Sequence, residues 1–370
     1  MIHPPIYIQV TIAGAIGGVA MLNAALLWFM PRLTRPDLYF AVTVSPGFRD
    51  EAEGKSILRG YRIELMIASG LALAAFVAGV ALLGIGFVPV GFWVQVLAGF
   101  VVFYRARGRT LPYAMPPTMI REAEVQEKHN RVIPGGRIAA AGPFVLLAIC
   151  ATYLGIHGIE TPARLSNHWI INGQPADFQS HTLLIYLLTT SGTLISLTLV
   201  LYGLARWVRP VYASGPERAR ELKFRRTTAA IVLVAEYYVV LQASWVLFVR
   251  SNDGLLRVIT FPLAFVFVLV VLVVLARLGQ GGSRLQGLKQ KSSAVSATPV
   301  GDRTPDRYWK LGVFYFNPDD SAIFVEKRFG LGYSLNFGRP ITWFILALTL
   351  MTPLIPVVAH LSRFLARFGA

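Results

Sequence analysis

The stretch Thr228–Val249, TAAIVLVAEYYVVLQASWVLFV, decides the fold. Its 22 residues are almost all apolar, and coiled at about 1.5 Å per residue they cover the roughly 30 Å of a bilayer's hydrocarbon core. Backbone N–H and C=O groups find no water there, so the run must be helical. Immediately before it stands Glu217–Arg226, ERARELKFRR, with Ser214 and Glu217 at capping-box spacing. That segment reads as a basic helix at a membrane face, anchored to anionic headgroups.

Seven further runs have the same character: roughly Ile6–Met30, Leu65–Ile85, Phe87–Tyr104, Ile138–Ile156, Leu183–Ala205, Val258–Ala276 and Ile341–Leu361. Gly84, Gly86 and Pro89 supply a turn between the second and third spans. The expected fold is an all-α polytopic membrane protein of eight transmembrane helices. A hydrophobic content of 55% with 15% charged residues excludes an ordinary soluble domain. Lys and Arg outnumber Asp and Glu 35 to 19, but the basic residues fall between the apolar runs rather than on one soluble face. The expected counter-charge is therefore a bilayer with anionic headgroups, and no nucleic acid is expected. The single cysteine, Cys150, permits neither an intrachain disulfide nor a thiolate cage. The first run is too long for a signal-peptide core and is read as a retained span.

Basic residues between successive spans number 0, 6, 0, 7, 1, 7, 2, 10 and 2. The alternation is complete. By the positive-inside rule the four rich loops are cytoplasmic and both termini are outside.

In the first basic loop Asp37–Val44, DLYFAVTV, has the content of a short strand, and the following RDEAEGKSILRGYRIE reads as a helix running into the second span. Thr118–Asn130 reads as a short charged helix. Residues 278–305 are rich in Gly, Ser, Gln and Lys and are expected to be a flexible linker. After them Trp309–Phe316, Ala322–Lys327 and Gly332–Phe337 read as the strands of a small cytoplasmic β-meander within 306–340, before the last helix in 341–370. Phe314, Phe316, Phe324 and Val325 are expected to be buried in it. Asp37–Val44 is placed to pair with the meander from the same side of the membrane. The remainder, 1–277, forms a seven-helix membrane domain with one sizeable outer loop, 157–181.

Two stretches carry a resemblance. FYFNPDDSAIFVEKRFGLGYSLNFGRP, Phe314–Pro340, closely resembles the pattern of a bacterial membrane-protein domain of unknown function, family 5808. The outer segment TPARLSNHWIINGQPADFQSH, Thr161–His181, is similar to the motif of another such domain, family 1648, found in SdpI-like proteins. Pro162, Arg164, Leu165, His168, Trp169, Gly173 and Pro175 match that pattern, while Ser166 and Ile170 depart from it and Asp177 sits one residue late. The resemblance implies a bacterial inner-membrane protein related to SdpI-like immunity and signalling proteins. It implies no reaction.

Several residues could carry function. His168, Trp169, Gly173, Pro175 and Asp177 are the candidate contacts for an extracytoplasmic peptide, with Gly173 in a tight turn and Trp169 an amphipathic anchor. Glu236 is the acid near the middle of a span, where it must be neutral or find a partner. Two readings stay open: a proton or cation site, or one interhelical hydrogen bond, with Asn23, Gln95 or Tyr237 as donors. The hydroxyls of Thr189, Thr190, Ser191, Thr193, Ser196 and Thr198 could line a path, but such groups more often bond back to their own helix. His3, His157, His168, His181 and His360 fall near the outer face without close spacing, so no metal and no cofactor is expected. Gly14 with Gly18, and Gly70 with Ala74 and Ala78, allow close helix approach. No catalytic motif is present, and no enzyme is expected. The leading expectation is an immunity, receptor or signalling protein that binds an outer ligand and a cytoplasmic partner. A secondary transporter is the alternative, disfavoured because no internal repeat is visible, and a structural scaffold is a further one.

Overall fold

The computed structural model describes residues 6–35, 37–45, 47–83, 88–115, 132–157, 182–208, 215–248, 254–282, 284 and 305–355. Eight α-helices appear among them, in chain order α1 (Ile6–Leu33), α2 (Ala52–Leu83), α3 (Val88–Thr110), α4 (Gly136–His157), α5 (Thr182–Arg206), α6 (Gly215–Phe248), α7 (Gly254–Leu278) and α8 (Pro340–Met351). Five carry segments long and apolar enough to cross a membrane: Ala52–Leu82, Gly136–Ile156, Leu183–Arg206, Ala219–Trp245 and Phe265–Gly282. Helix α8 is apolar but has 12 residues, about 18 Å at helical rise; it runs on into a 3-10 turn, Thr352–Leu354, and residues 356–361 of the expected last span lie outside the described residues.

These helices turn large apolar side chains outward. Leu71, Leu82, Ile138 and Ile156 are 68%, 83%, 88% and 75% exposed, which water would penalise and lipid does not. The inward face of α2 is the helical series Ile57, Tyr61, Leu65, Ala68, Ala72 and Phe76. As expected, α2 begins in the charged stretch and continues without interruption into the apolar run. Helix α6 does the same from its basic first turns. Helices α1, α2 and α3 pack on one another as one group, and α4, α5, α6, α7 and α8 as a second.

Three antiparallel two-stranded hairpins lie at the helix ends: β1 (Leu38–Tyr39) with β2 (Val42–Thr43), β3 (Trp309–Lys310) with β4 (Phe314–Tyr315), and β5 (Phe324–Glu326) with β6 (Tyr333–Leu335). This corrects the single three-stranded meander. The run Trp309–Phe316 is itself a hairpin, because Leu311 and Gly312 adopt φ of 53° and 77° and reverse the chain. The two C-terminal hairpins meet through a parallel bridge between Tyr315 and Asn336. Asp37–Val44 likewise closes on itself and does not extend a C-terminal sheet, because Phe40 and Ala41 turn it at φ of 44° and 62°. Of the four residues expected inside, Phe324 and Val325 are buried at 4% and 3%, whereas Phe314 and Phe316 are about 45% exposed and Tyr315 is buried in their place. The alternation of the strand decides this. The register puts Tyr315 opposite Trp309, and both face inward.

The expected linker also begins later than the composition implied. Gln280 is fully buried, and its side chain closes the loop between β5 and β6: Nε2 donates to the Gly332 carbonyl at 2.9 Å, and Oε1 accepts from the Gly332 amide at 2.9 Å.

Candidate functional site

The C-terminal segment from Asp306 to Pro340 touches both helix groups. On one side, the amides of Ile323 and Phe324 donate to the Trp207 carbonyl just after α5, each at 3.0 Å. Phe324, Ile323 and Ile345 pack with Leu204 and Val208, and Tyr333 lies against Phe224 of α6. Gly203 makes this approach possible, since a Cβ there would stand 2.2 Å from the Phe324 ring. Arg225 of α6 ties the same corner by donating to the Leu204 and Ala205 carbonyls, capping α5 where its final C=O groups lack helical partners.

The other side is built on arginines. The side chain of Arg328 is fully buried and pairs with the Asp306 carboxylate, which is 30% exposed. It also lies 5.2 Å from the Trp309 ring centroid and 3.5 Å from the Ala41 carbonyl. Arg107, at the end of α3, donates to that same Ala41 oxygen at 2.5 Å. Two guanidinium groups thus hold the tip of the β1–β2 hairpin, where two non-glycine residues sit in the left-handed region at a cost of about 1–2 kcal/mol each. Phe329, beside Arg328, stacks on Phe40 and Phe103 at centroid distances of 6.2 and 4.3 Å. Arg35 completes the joint with Glu326 at 3.2 Å and Asp37 at 3.4 Å, all three nearly buried. Thr43 donates to Asp306 at 3.4 Å.

Charge burial of this extent is costly unless each ion is paired. Here the Arg35–Glu326 pair joins the end of α1 to β5, and Arg107 and Arg328 converge on the Ala41 carbonyl, so these contacts specify one docking geometry between the hairpins and α3. Burial pushes the Tyr39 hydroxyl up to about 12, with Arg49 opposing, and that hydroxyl donates to the Gly54 carbonyl at 2.9 Å. Burial also pushes the Arg49 guanidinium and the Lys327 ammonium down.

Within the segment, Asn336 acts as a staple. Its Oδ1 accepts from the Asn317 and Gly338 amides at 3.0 and 3.1 Å, and its Nδ2 donates to the carbonyls of Asn317, Asp320 and Ala322 at 2.8, 3.2 and 3.0 Å. Thr342 Oγ1 of α8 donates to the Asn336 carbonyl at 2.7 Å, so the turn is locked to the last helix.

The sequence candidates fall elsewhere. His168, Trp169, Gly173, Pro175 and Asp177 lie outside the described residues, as does the charged helix expected at Thr118–Asn130. Glu236 is fully buried. Thr198 Oγ1 of α5 donates to its Oε1 at 3.1 Å, and its Oε2 has no hydrogen-bond partner. The other expected donors are spent apart from it. Gln95 donates to Ser69 at 2.9 Å, Tyr237 donates to the Ala139 carbonyl at 3.2 Å, and Asn23 leaves Nδ2 without a partner. In α5, Thr189, Ser191 and Thr193 bond back to the carbonyls of residues four positions earlier, while the Ser196 and Thr349 hydroxyls, the latter on α8, are hydrogen-bonded at 2.5 Å.

Reading the sequence missed the arginine joint. Its signal was present in the quoted Val325–Gly330, VEKRFG, where one arginine stands between an apolar strand and Phe329. Basic residues in that loop read instead as headgroup partners.

Residues 318–343 match the model of a family of unknown function, DUF5808. No curated protein and no solved structure matches the chain. The matched residues hold the Asn336 staple, Arg328 and the start of α8, so the likeness covers the docking segment.

Proposed function

We propose that this chain is a bacterial inner-membrane receptor of the immunity or signalling kind, related to SdpI-like proteins. It crosses the membrane eight times with both termini outside. The outer segment 157–181 meets an extracytoplasmic peptide through His168 and Trp169, and the 306–340 segment carries the resulting change to a cytoplasmic partner. The observation that carries this reading is the docking of that segment on both helix groups at once, through a buried ion pair with Arg35 on one side and apolar packing against α5 on the other. A shift of one group against the other must break or remake those contacts, and packed interfaces with discrete ion pairs switch rather than deform. The eight-span topology is supported by the meeting of the first, second, third and fourth basic segments on one face, through Arg35, Arg107, Trp207 and Arg328.

The test is a challenge of cells carrying the full chain with a panel of membrane-active peptides, read as membrane depolarisation. Wild type is expected to protect against at least one peptide, and His168→Ala and Trp169→Ala to remove protection at unchanged membrane abundance. Equal depolarisation with and without the protein across the panel, or full protection by both variants, overturns the receptor reading.

The unpartnered Oε2 of Glu236 favours a second reading, a secondary transporter with that carboxylate on the path. Against it stand the α5 hydroxyls that are turned back onto their own helix. Uptake lost in Glu236→Gln at normal abundance would favour the transporter.

A further inference from the structure

We propose that the groove between α1 and α2 binds one anionic glycerophospholipid, its phosphate held by Arg32 and Arg62 and one acyl chain laid along the groove.

The headgroup end rests on Arg62. Its guanidinium sits 4.8 Å over the Trp28 ring of α1, yet Nε and Nη2 are buried and find no hydrogen-bond partner. Arg32 stands close enough to be felt as a like charge, and among the described residues no carboxylate pairs with either. Arg32 is exposed and Arg62 half-buried, and the two unused donors of Arg62, with a like charge beside them, are matched by an anion that can accept from both arginines. Arg32 alone has an ordinary explanation, since it lies in the last turn of α1 and complements the negative end of the helix. Arg62 has none. It lies in the body of α2 beside Trp28, a residue type enriched at membrane interfaces.

The chain end is an independent observation. A crevice of about 150 Å³ opens on the outer surface between the helices. Ala20, Met21 and Ala24 of α1, Ser69, Gly70 and Leu73 of α2 line it, and Gln95 of α3 closes its inner wall through its bond to Ser69. The two ends lie in line. Ala20, Ala24, Trp28 and Arg32 form one ridge at intervals of four on α1, and Arg62, Met66, Ser69 and Leu73 form the facing ridge on α2. Seven residues separate Arg62 from Ser69, about 10 Å along the helix, so a phosphate at the arginines places its acyl chain at the crevice mouth. Charge at one end and apolar walls at the other fit a lipid better than a free anion or a polar peptide. The site stands independently of the receptor reading.

The experiment is native mass spectrometry of the full chain in neutral detergent, titrated with phosphatidylglycerol or with phosphatidylcholine of the same acyl length. One phosphatidylglycerol is expected to be retained in preference. Arg62→Gln should weaken it about fivefold and Arg32→Gln with Arg62→Gln about 25-fold, at about 1 kcal/mol for each interfacial arginine. Gly70→Leu should fill the groove, since an added Cβ there meets nothing within 4 Å. It should weaken long-chain phosphatidylglycerol while leaving a six-carbon-chain analogue unchanged. Equal retention of phosphatidylcholine, displacement by millimolar inorganic phosphate, or wild-type affinity in Arg62→Gln each overturns the proposal. Should Arg62→Gln fail to accumulate, Gly70→Leu decides, and unchanged long-chain binding in it is equally fatal.

Discussion

Removing either partner of the Arg328–Asp306 pair takes a charged contact from the other, and the two losses are not equivalent. In Arg328→Met the methionine keeps much of the apolar volume and leaves the Asp306 carboxylate, which is 30% exposed and can turn to water. The loss is then one charge-assisted contact and one cation–π contact with Trp309, together about 2 kcal/mol. In Asp306→Ala the guanidinium remains, with 0% exposure and one charged partner fewer. Taking a paired carboxylate from a fully buried charge costs more than taking a charge from a group that can turn to water, up to about 3–5 kcal/mol, so this variant is expected to be the worse by about 2 kcal/mol. Arg307→Ala is the control, since it removes an exposed arginine that touches only its neighbour Tyr308 and should stay within about 0.5 kcal/mol of wild type. Pulse proteolysis of the full chain across a urea series, followed by the fragments from the 306–340 segment, measures all three. An Asp306→Ala no less stable than Arg328→Met, or both within 0.5 kcal/mol of wild type, would refute the claim that burial of Arg328 makes the pair a structural joint.

Three further outcomes follow from the same contacts. Gly203→Leu should release β5 from α5, because its Cβ alone would meet the Phe324 ring at 2.2 Å. A loss of about 1–3 kcal/mol is expected, read as faster tryptic cleavage at Lys327 than at Lys55. Tyr39 titrates near 12 when folded against about 10 when unfolded. The raised folded value favours the neutral hydroxyl, so its contribution of roughly 2–3 kcal/mol is fully present below pH 10 and is lost between about pH 10 and 12. Tyr39→Phe should therefore show a flatter fall in unfolding midpoint over that window than wild type, and an identical slope would contradict it. Glu236→Gln keeps an acceptor for Thr198 and should leave unfolding unchanged within about 1 kcal/mol. A large loss would mean that the carboxylate has a charged partner.

The long apolar helices were legible because a single rule governs them: a run long and apolar enough to cross a membrane needs no knowledge of tertiary contacts. The continuity of α2 and α6 from charged starts into apolar runs was visible for the same reason. What the sequence concealed was long-range pairing. Nothing local says that Arg328 will meet Asp306 and the tip of a hairpin 287 residues earlier, or that Gln280, in a polar stretch, will be buried in the loop of another hairpin. The strand content of Trp309–Phe316 was readable, but its reversal at Leu311 and Gly312 was not, since leucine rarely takes a positive φ. Glu236 lies buried in a helix apolar enough to cross a membrane, while its partner Thr198 came from a helix whose hydroxyls gave no sign of which one would face it.

The central claim is that the basic segments and the docking hairpins share one face of the membrane, with the outer segment on the other. Single cysteines at Glu53, Gly108, Arg206 and Lys310, all exposed, and at Gln174, each in a Cys150→Ser background, test it with a membrane-impermeant maleimide. The first four are expected to be protected in intact cells and to label only after permeabilisation, and Gln174 is expected to label at once. Labelling of any one of the four from outside, or protection of Gln174, would contradict the account.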